Sequence, residues 1–277
     1  MPGHCHHRDP SEVTQPVREG APNRKGIWEF CWHSLFSEYG WSFFWRVALP
    51  HPMKTTKALL ASRKLDFSAS ITTLAAEGLE RTFGGARSIV GVGFCLKPLN
   101  PPCPSGRFNH DCHYLEHLLH GEPTHVPAPC RQCMIREIGT LTLRTGAAFY
   151  IMTSAKEILF DVFAPALDVG RFSSGLFVLC RYSLHPFAFG LLAAGIRGWL
   201  IPFEKGDCQD YKTWLQADRG VKEEQTEIDR PNRIHIRDIL QTAAKEPLIS
   251  ARFERQGHIL SLRMTTRGER QANAECQ

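Results

Sequence analysis

The stretch "AAFYIMTSAKEILFDVFAPALDVGRFSSGLFVLCRYSLHPFAFGLLAAGIRGWLIPFE", residues 147–204, decides the fold. AAFYIMTS (147–154), GLFVLCRYS (175–183) and GWLIPFE (198–204) are short apolar runs rich in aromatic and branched residues, as strands require. AKEILFDVFAPAL and HPFAFGLLAAGI, which separate them, have the length of helices. Working back along the chain, SIVGVGFCL (88–96) adds a first strand and MIREIGTLTLRTG a helix that stops at Gly146. Strands without polar alternation, joined by helices, are buried on both faces. The pattern therefore predicts a doubly wound, mostly parallel α/β sheet. Ligands of such sheets bind beyond the carboxyl ends of the strands. Cys95, Thr153, Ser154, Cys180 and Cys208 all map to that edge.

Outside this core the reading is looser. Residues 1–26 are polar, charged and rich in Pro and Gly, so a disordered tail is expected, with His4, Cys5, His6 and His7 as adventitious metal binders. Residues 27–85 read as an N-terminal helical region. Its aromatic segment Trp28–Trp45 carries four of the six tryptophans, and a helix is expected over Ser68–Thr82. Such aromatic density wants a surface to cover, and self-packing, an oligomer contact or a membrane surface would each supply one. The α/β core spans 86–228 with a Cys-rich insertion at 97–133. A basic extension, 229–277, is expected to contribute a peripheral helix and a short hairpin.

A chain of 277 residues, 43% of them hydrophobic, can bury a substantial core. The net charge of +5 is mild and lacks a dense basic run, which argues against nucleic acid as the partner. No long apolar span or apolar signal-peptide centre is present, so a cytoplasmic protein is expected. In a reducing compartment ten cysteines do not suggest a disulfide framework, and metal or redox chemistry is the better account of a cluster. G-x-x-x-x-G-K-[ST], a helix-opening G-x-G-x-x-G and G-x-S-x-G are all missing, which removes the common nucleotide and hydrolase readings.

The cluster is CPSGRFNHDCHYLEHLLHGEPTHVPAPCRQC, residues 103–133. Cys130 and Cys133 form a C-x-x-C just before a helix, where backbone N–H groups favour thiolates. With Cys103 and Cys112 the set offers four soft ligands, suited to zinc or an iron–sulfur cluster. Only one pair is closely spaced, which favours iron–sulfur. His113, His117 and His120 share a helix face and are candidate mixed ligands, or simply the solvated side of a helix that packs Leu115 and Leu118 inward; His110 and His125 complete the histidine set. Cys95, Cys180 and Cys208 form a second set at three strand ends, able to bind a cofactor such as a [4Fe–4S] cluster with one iron open. Cys208, His185 and Asp207 are the catalytic candidates, with Ser183, Asp210 and Tyr211 nearby.

CLKP (95–98) with a second cysteine after it, CRQCMIREIG (130–139), LFVLCRYS (176–183) and GDC (206–208) together resemble a prokaryotic cysteine-rich family catalogued as domain of unknown function one-one-six. The likeness covers about residues 88 to 215. It implies an α/β protein suspected of binding iron–sulfur clusters, with Cys95, Cys103, Cys130, Cys133, Cys180 and Cys208 at matching positions. The insertion SGRFNHDCHYLEHLLHGEPTHVPAP departs from the pattern, as does Arg181, where the family implies an acid. The functional expectation is an iron–sulfur protein serving electron transfer or a cluster-assisted reaction with a redox or protein partner. A structural zinc protein acting as an interaction module, and a metal-free thiol enzyme using Cys208, are the alternatives.

Overall fold

The computed structural model describes residues 38–120, 125–244 and 253–262. The tail expected over 1–26, its histidines, and Trp28 and Trp32 lie outside the described residues, as does the end of the basic extension. Seven strands form one sheet: β1 (Thr72–Leu74), β2 (Ser88–Gly93), β3 (Ala148–Met152), β4 (Ser174–Leu179), β5 (Arg197–Pro202), β6 (Phe253–Gln256) and β7 (Ile259–Leu262). Their order is β1-β5-β4-β2-β3-β7-β6. The four expected strands are parallel to one another, and β1 and the β6–β7 hairpin close the two edges in antiparallel fashion.

Side chains of the parallel strands alternate between two core layers, as the two-residue period of a strand dictates. On one face Val90, Val92, Ile151, Val178 and Trp199 meet Ile135 and Ile138 of α5 (Met134–Arg144) and Ile236 and Leu240 of α10 (Arg230–Ala243). On the other face Ile89, Tyr150, Phe177 and Leu200 meet Leu191 of α8 (Arg181–Ala194) and Phe163, in the helical stretch that continues α6 (Ala155–Ile158) into α7 (Ala164–Val169). Each such large apolar side chain contributes about 2 kcal/mol by leaving water. Close strand approach is secured at Gly198, φ +153°, where an added Cβ would sit 1.7 Å from the Gly175 carbonyl oxygen.

The N-terminal helices belong to the same core. Phe43 of α1 (Glu38–Phe43), Val47 in the π-turn Phe44–Ala48, and Ala58 of α2 (Pro52–Ser62) are buried in the layer that holds Ile89 and Leu200. The helix expected over Ser68–Thr82 is replaced by β1 and a 3-10 turn, Leu79–Arg81. The β-branched run Ile71-Thr72-Thr73 prefers a pleated surface, and the left-handed conformations of Ala75 (φ +47°) and Gly78 (φ +70°) interrupt any helix there. The strand expected over 175–183 ends at Leu179. Arg181–Ser183 already belong to α8, which moves Ser183 from a strand end into a helix first turn.

The connectivity positions the site. β2 lies between β3 and β4, so the chain steps to one side after β2 and crosses back past it to reach β4. The segments leaving β2 and β4 thus part at a switch point, where open sheets of this kind have a crevice.

Candidate functional site

The insertion leaves β2 through the turn Phe94–Leu96 and re-enters α5 through the short α4 (Ala128–Arg131). Lys97, directly after the turn, is only 1% exposed. Its ammonium donates to the carbonyls of Gly106 (3.1 Å) and Asn109 (2.9 Å) and to the Asn109 side-chain oxygen. Lys97 is the post around which the loop winds. From that loop Arg107 donates back to the Cys95 carbonyl (3.3 Å) and across to the carbonyls of Glu224 (2.7 Å) and Lys222. The first part of the insertion is thereby fastened both to the end of β2 and to the chain beyond β5.

This frame gathers the four insertion cysteines. Cys103 sits between two turns, its N–H bonded to the Pro98 carbonyl and its own carbonyl accepting from Gly106, both at 3.0 Å. Cys112 occupies the N-cap position of α3 (His113–Leu119) and Cys133 that of α5, neither with a side-chain cap hydrogen bond. The first-turn N–H of Leu115 favours the Cys112 thiolate, and those of Arg136 and Ile135 favour the Cys133 thiolate. Burial pushes the Cys112 thiol up to about 12 against the Leu115 N–H, and Cys133, Cys103 and Cys130 add to the rise. Burial also raises Cys130 and Cys133, and Cys103 acts on both. Burial lowers the Lys97 ammonium's pKa, and Cys103, Cys112 and Cys133 pull against that effect. Two buried thiols, Cys130 and Cys133, and two half-buried ones, Cys103 and Cys112, thus lie within electrostatic reach of one another.

A tetrahedral zinc–thiolate site, with Zn–S near 2.3 Å, places its sulfurs ~3.8 Å apart. Among the described residues no three cysteine sulfurs lie within 4.8 Å of one another. His113, His117 and His120 are exposed while Leu115 and Leu118 are buried, so the histidine face of α3 looks to solvent; His125 is exposed as well.

The strand-end set assembles separately. Cys95 in the turn after β2, Cys180 capping α8 after β4, and Cys208 beyond β5 line one pocket of about 100 Å³, together with Thr153, Trp214 and Lys222. The pocket lies at the switch point. Its polar groups form a directed chain. The Trp214 indole N–H donates to Ser183 Oγ (2.8 Å), whose hydroxyl faces Cys180 Sγ (2.8 Å), and the Cys180 thiol donates to Cys208. Lys222 Nζ approaches Cys208 Sγ from another side at 4.0 Å. The Cys180 hydrogen bond, followed by the Lys222 ammonium, pulls the Cys208 pKa below that of an ordinary thiol against its burial. Cys180 is pushed well up as the donor of that bond, and burial with the charge of Cys208 raises Cys95 to about 12. Of the three thiols only Cys208 is shifted down.

The structure brings Asp207 to this site and keeps His185 out of it. The Asp207 carboxylate accepts the N–H groups of Arg181 (3.0 and 3.1 Å) and Cys208 (2.8 Å), so it caps α8 and fixes the Cys208 backbone. Burial raises its pKa to about 6, against those hydrogen bonds and the Arg181 and Lys222 charges. Asp207 is a positioning residue for Cys180 and Cys208. His185 does not line the pocket; its ring lies 5.0 Å from that of Phe67, and burial followed by the Arg63 charge lowers its pKa. Asp210 caps α9 (Tyr211–Asp218) by accepting the Thr213 N–H at 2.8 Å, and Tyr211 stacks on Trp214.

Sequence reasoning missed a third group. His110 stacks in parallel on His258 at 3.9 Å and on Tyr150 at 5.4 Å. His258 Nδ1 and the Tyr150 hydroxyl both meet Asp161 Oδ2 at 2.9 Å. One His110 nitrogen bonds the Ile151 carbonyl (2.7 Å); the other faces Thr153 (3.2 Å) and Glu157 (3.5 Å). His110, Asp161 and His258 are close enough to share an ion. Face-to-face imidazoles, however, direct their ring lone pairs side by side rather than towards one point. The group ties the β6–β7 hairpin and the insertion to the end of β3. Only the fold reveals it, because its members come from three distant segments.

No helix of the described residues is long and apolar enough to cross a membrane. Comparison with protein-family models, with curated proteins and with solved structures finds no match, so the likeness to the cysteine-rich family rests on the motifs quoted above.

Proposed function

We propose that the protein is an iron–sulfur redox protein of a reducing compartment such as the cytoplasm. In this reading Cys103, Cys112, Cys130 and Cys133 hold the cluster, and the strand-end pocket receives the substrate or the redox partner. The observation that carries it is the convergence of four mutually interacting thiols, two buried and two half-buried, around a loop wound on the buried Lys97 ammonium. When bound, a cluster supplies one-electron transfer, or Lewis acidity at an open iron. The chain's own contribution is to present the sulfurs from the N-caps of α3 and α5, from the short α4 and from the turn at Cys103. It also supplies, in Lys97, a buried positive charge beside what becomes an anionic tetrathiolate.

A second reading is favoured by the directed chain ending on Cys208. A thiol held below its ordinary pKa by Cys180 and Lys222, in a pocket at the switch point, is suited to nucleophilic attack in a metal-free thiol enzyme. Anaerobic purification with iron, zinc and sulfide analysis separates the readings. Iron with stoichiometric sulfide, lost in Cys130→Ser and in Cys133→Ser, is the result expected. Zinc alone makes the insertion a structural staple. Protein free of metal in which Cys208 alone is rapidly alkylated establishes the thiol enzyme instead.

A further inference from the structure

Between Glu38 and Asp66 the chain carries Arg46, Lys54, Lys57, Arg63 and Lys64 and not one acidic residue. The same run holds the densest exposed apolar surface among the described residues. Phe43 and Val47 turn into the core, while Trp41 (60% exposed), Phe44, Trp45, Leu49 and Met53 (78%) face outward. The three outer aromatic rings pack on one another, with centroids 5.5–6.0 Å apart. They make a shared ridge rather than isolated exposed side chains.

Helix α2 continues this surface. Its buried residues, Ala58 and Ser62, face the core. Met53, Lys57 and Leu60, followed one turn later by Lys64, recur at helical spacing on the opposite side, and all are exposed. Apolar and cationic side chains thus share one outward stripe. A protein partner is met by a surface of mixed charge with a desolvated centre. An aromatic ridge whose own segment carries only cations matches the interface of an anionic bilayer, where indoles sit at headgroup depth and lysines reach the phosphates. These helices are too short to span, and Phe43 and Val47 anchor them to the folded core.

We propose that residues 41–64 dock the protein on anionic lipid surfaces, with Trp41, Phe44 and Trp45 entering the headgroup layer and Lys54, Lys57 and Lys64 meeting the lipid phosphates. The inference is independent of any metal. The test is flotation of the full chain with phosphatidylserine-containing vesicles and with pure phosphatidylcholine vesicles. Binding to the anionic vesicles should be about tenfold stronger and should weaken as salt is raised. Lys54→Glu/Lys57→Glu/Lys64→Glu, which changes only exposed side chains, should abolish it without altering the melting temperature. Trp41→Ala/Trp45→Ala should weaken binding to both vesicle types. Equal binding to the two lipids, no binding to either, or full binding by the charge-reversed variant overturns the proposal. So does a concentration-dependent dimer, seen by sedimentation and lost in the tryptophan variant, if vesicles are not bound; that result makes a second copy the occupant.

Discussion

The two cysteine centres use the same side chain to opposite ends. In the insertion, burial is the largest effect on each shifted thiol and raises it, with neighbouring sulfurs adding to the rise, while the Arg136 charge and first-turn N–H groups pull the other way. At the strand ends Cys95 and Cys180 are raised and Cys208 is lowered. In the proposed reading the first set depends on a cation to take its protons, whereas Cys208 is polarised by the protein's own groups. Proximity of cysteines therefore does not define their chemistry; the donors aimed at each sulfur do.

The largest test of this contrast is Lys97→Met. Removing the buried ammonium leaves three oxygen acceptors of the loop without their donor and should cost about 3 kcal/mol in urea unfolding, while leaving Cys208 reactivity unchanged. A loss below about 1 kcal/mol would mean the insertion is held by something other than its lysine.

Next comes Asp207→Asn. The raised pKa means the folded protein binds this proton more tightly than the unfolded chain does. Its stabilising contribution is thus complete below about pH 4 and is lost as pH rises through about 6. Relative to the variant, the wild type should lose on the order of 2 kcal/mol between pH 4 and pH 7. A pH-independent difference would remove Asp207 from the electrostatics of the pocket.

Lys222→Met should slow alkylation of Cys208 in metal-free protein about fivefold near neutral pH, because the thiolate loses its adjacent cation. An unchanged rate would leave Cys180 as the sole source of the depressed pKa. The smallest effect is expected of His113→Ala/His117→Ala/His120→Ala, within about 0.5 kcal/mol and with full metal content. Loss of metal in that variant would bring the solvated face of α3 into the ligand set.

What could be read from the sequence divides along the same line. The parallel strands were legible because each is a continuous apolar run and the helices between them have the length of crossovers. The partition of the seven cysteines was not legible, since Cys95 could equally have joined the loop set; the fold puts it in one pocket with Cys180 and Cys208. β1 was not legible, since three residues gain strand character only from pairing with β5. Lys97 was invisible because a lysine reads as solvated surface until a loop is seen to close around it. Asp207 and His185 looked alike as polar residues near a strand end. Three backbone N–H bonds hold the first inside the site, and helix rotation carries the second away from it. The aromatic segment divided too, with Phe43 and Val47 in the core and Trp41 and Trp45 outside.

Trp214, Ser183, Cys180 and Cys208 stand in one row at the pocket, the indole N–H donating to Ser183 Oγ, which meets Cys180 Sγ. A proton, an alkyl group or a metal ion placed on Cys208 changes the charge beside Cys180, and the change should be felt at the far end of the row by an indole. The molecule thus contains its own optical gauge. Trp214 emission should report the state of a thiol it does not touch, and a titration of that light would read the pocket without any added label.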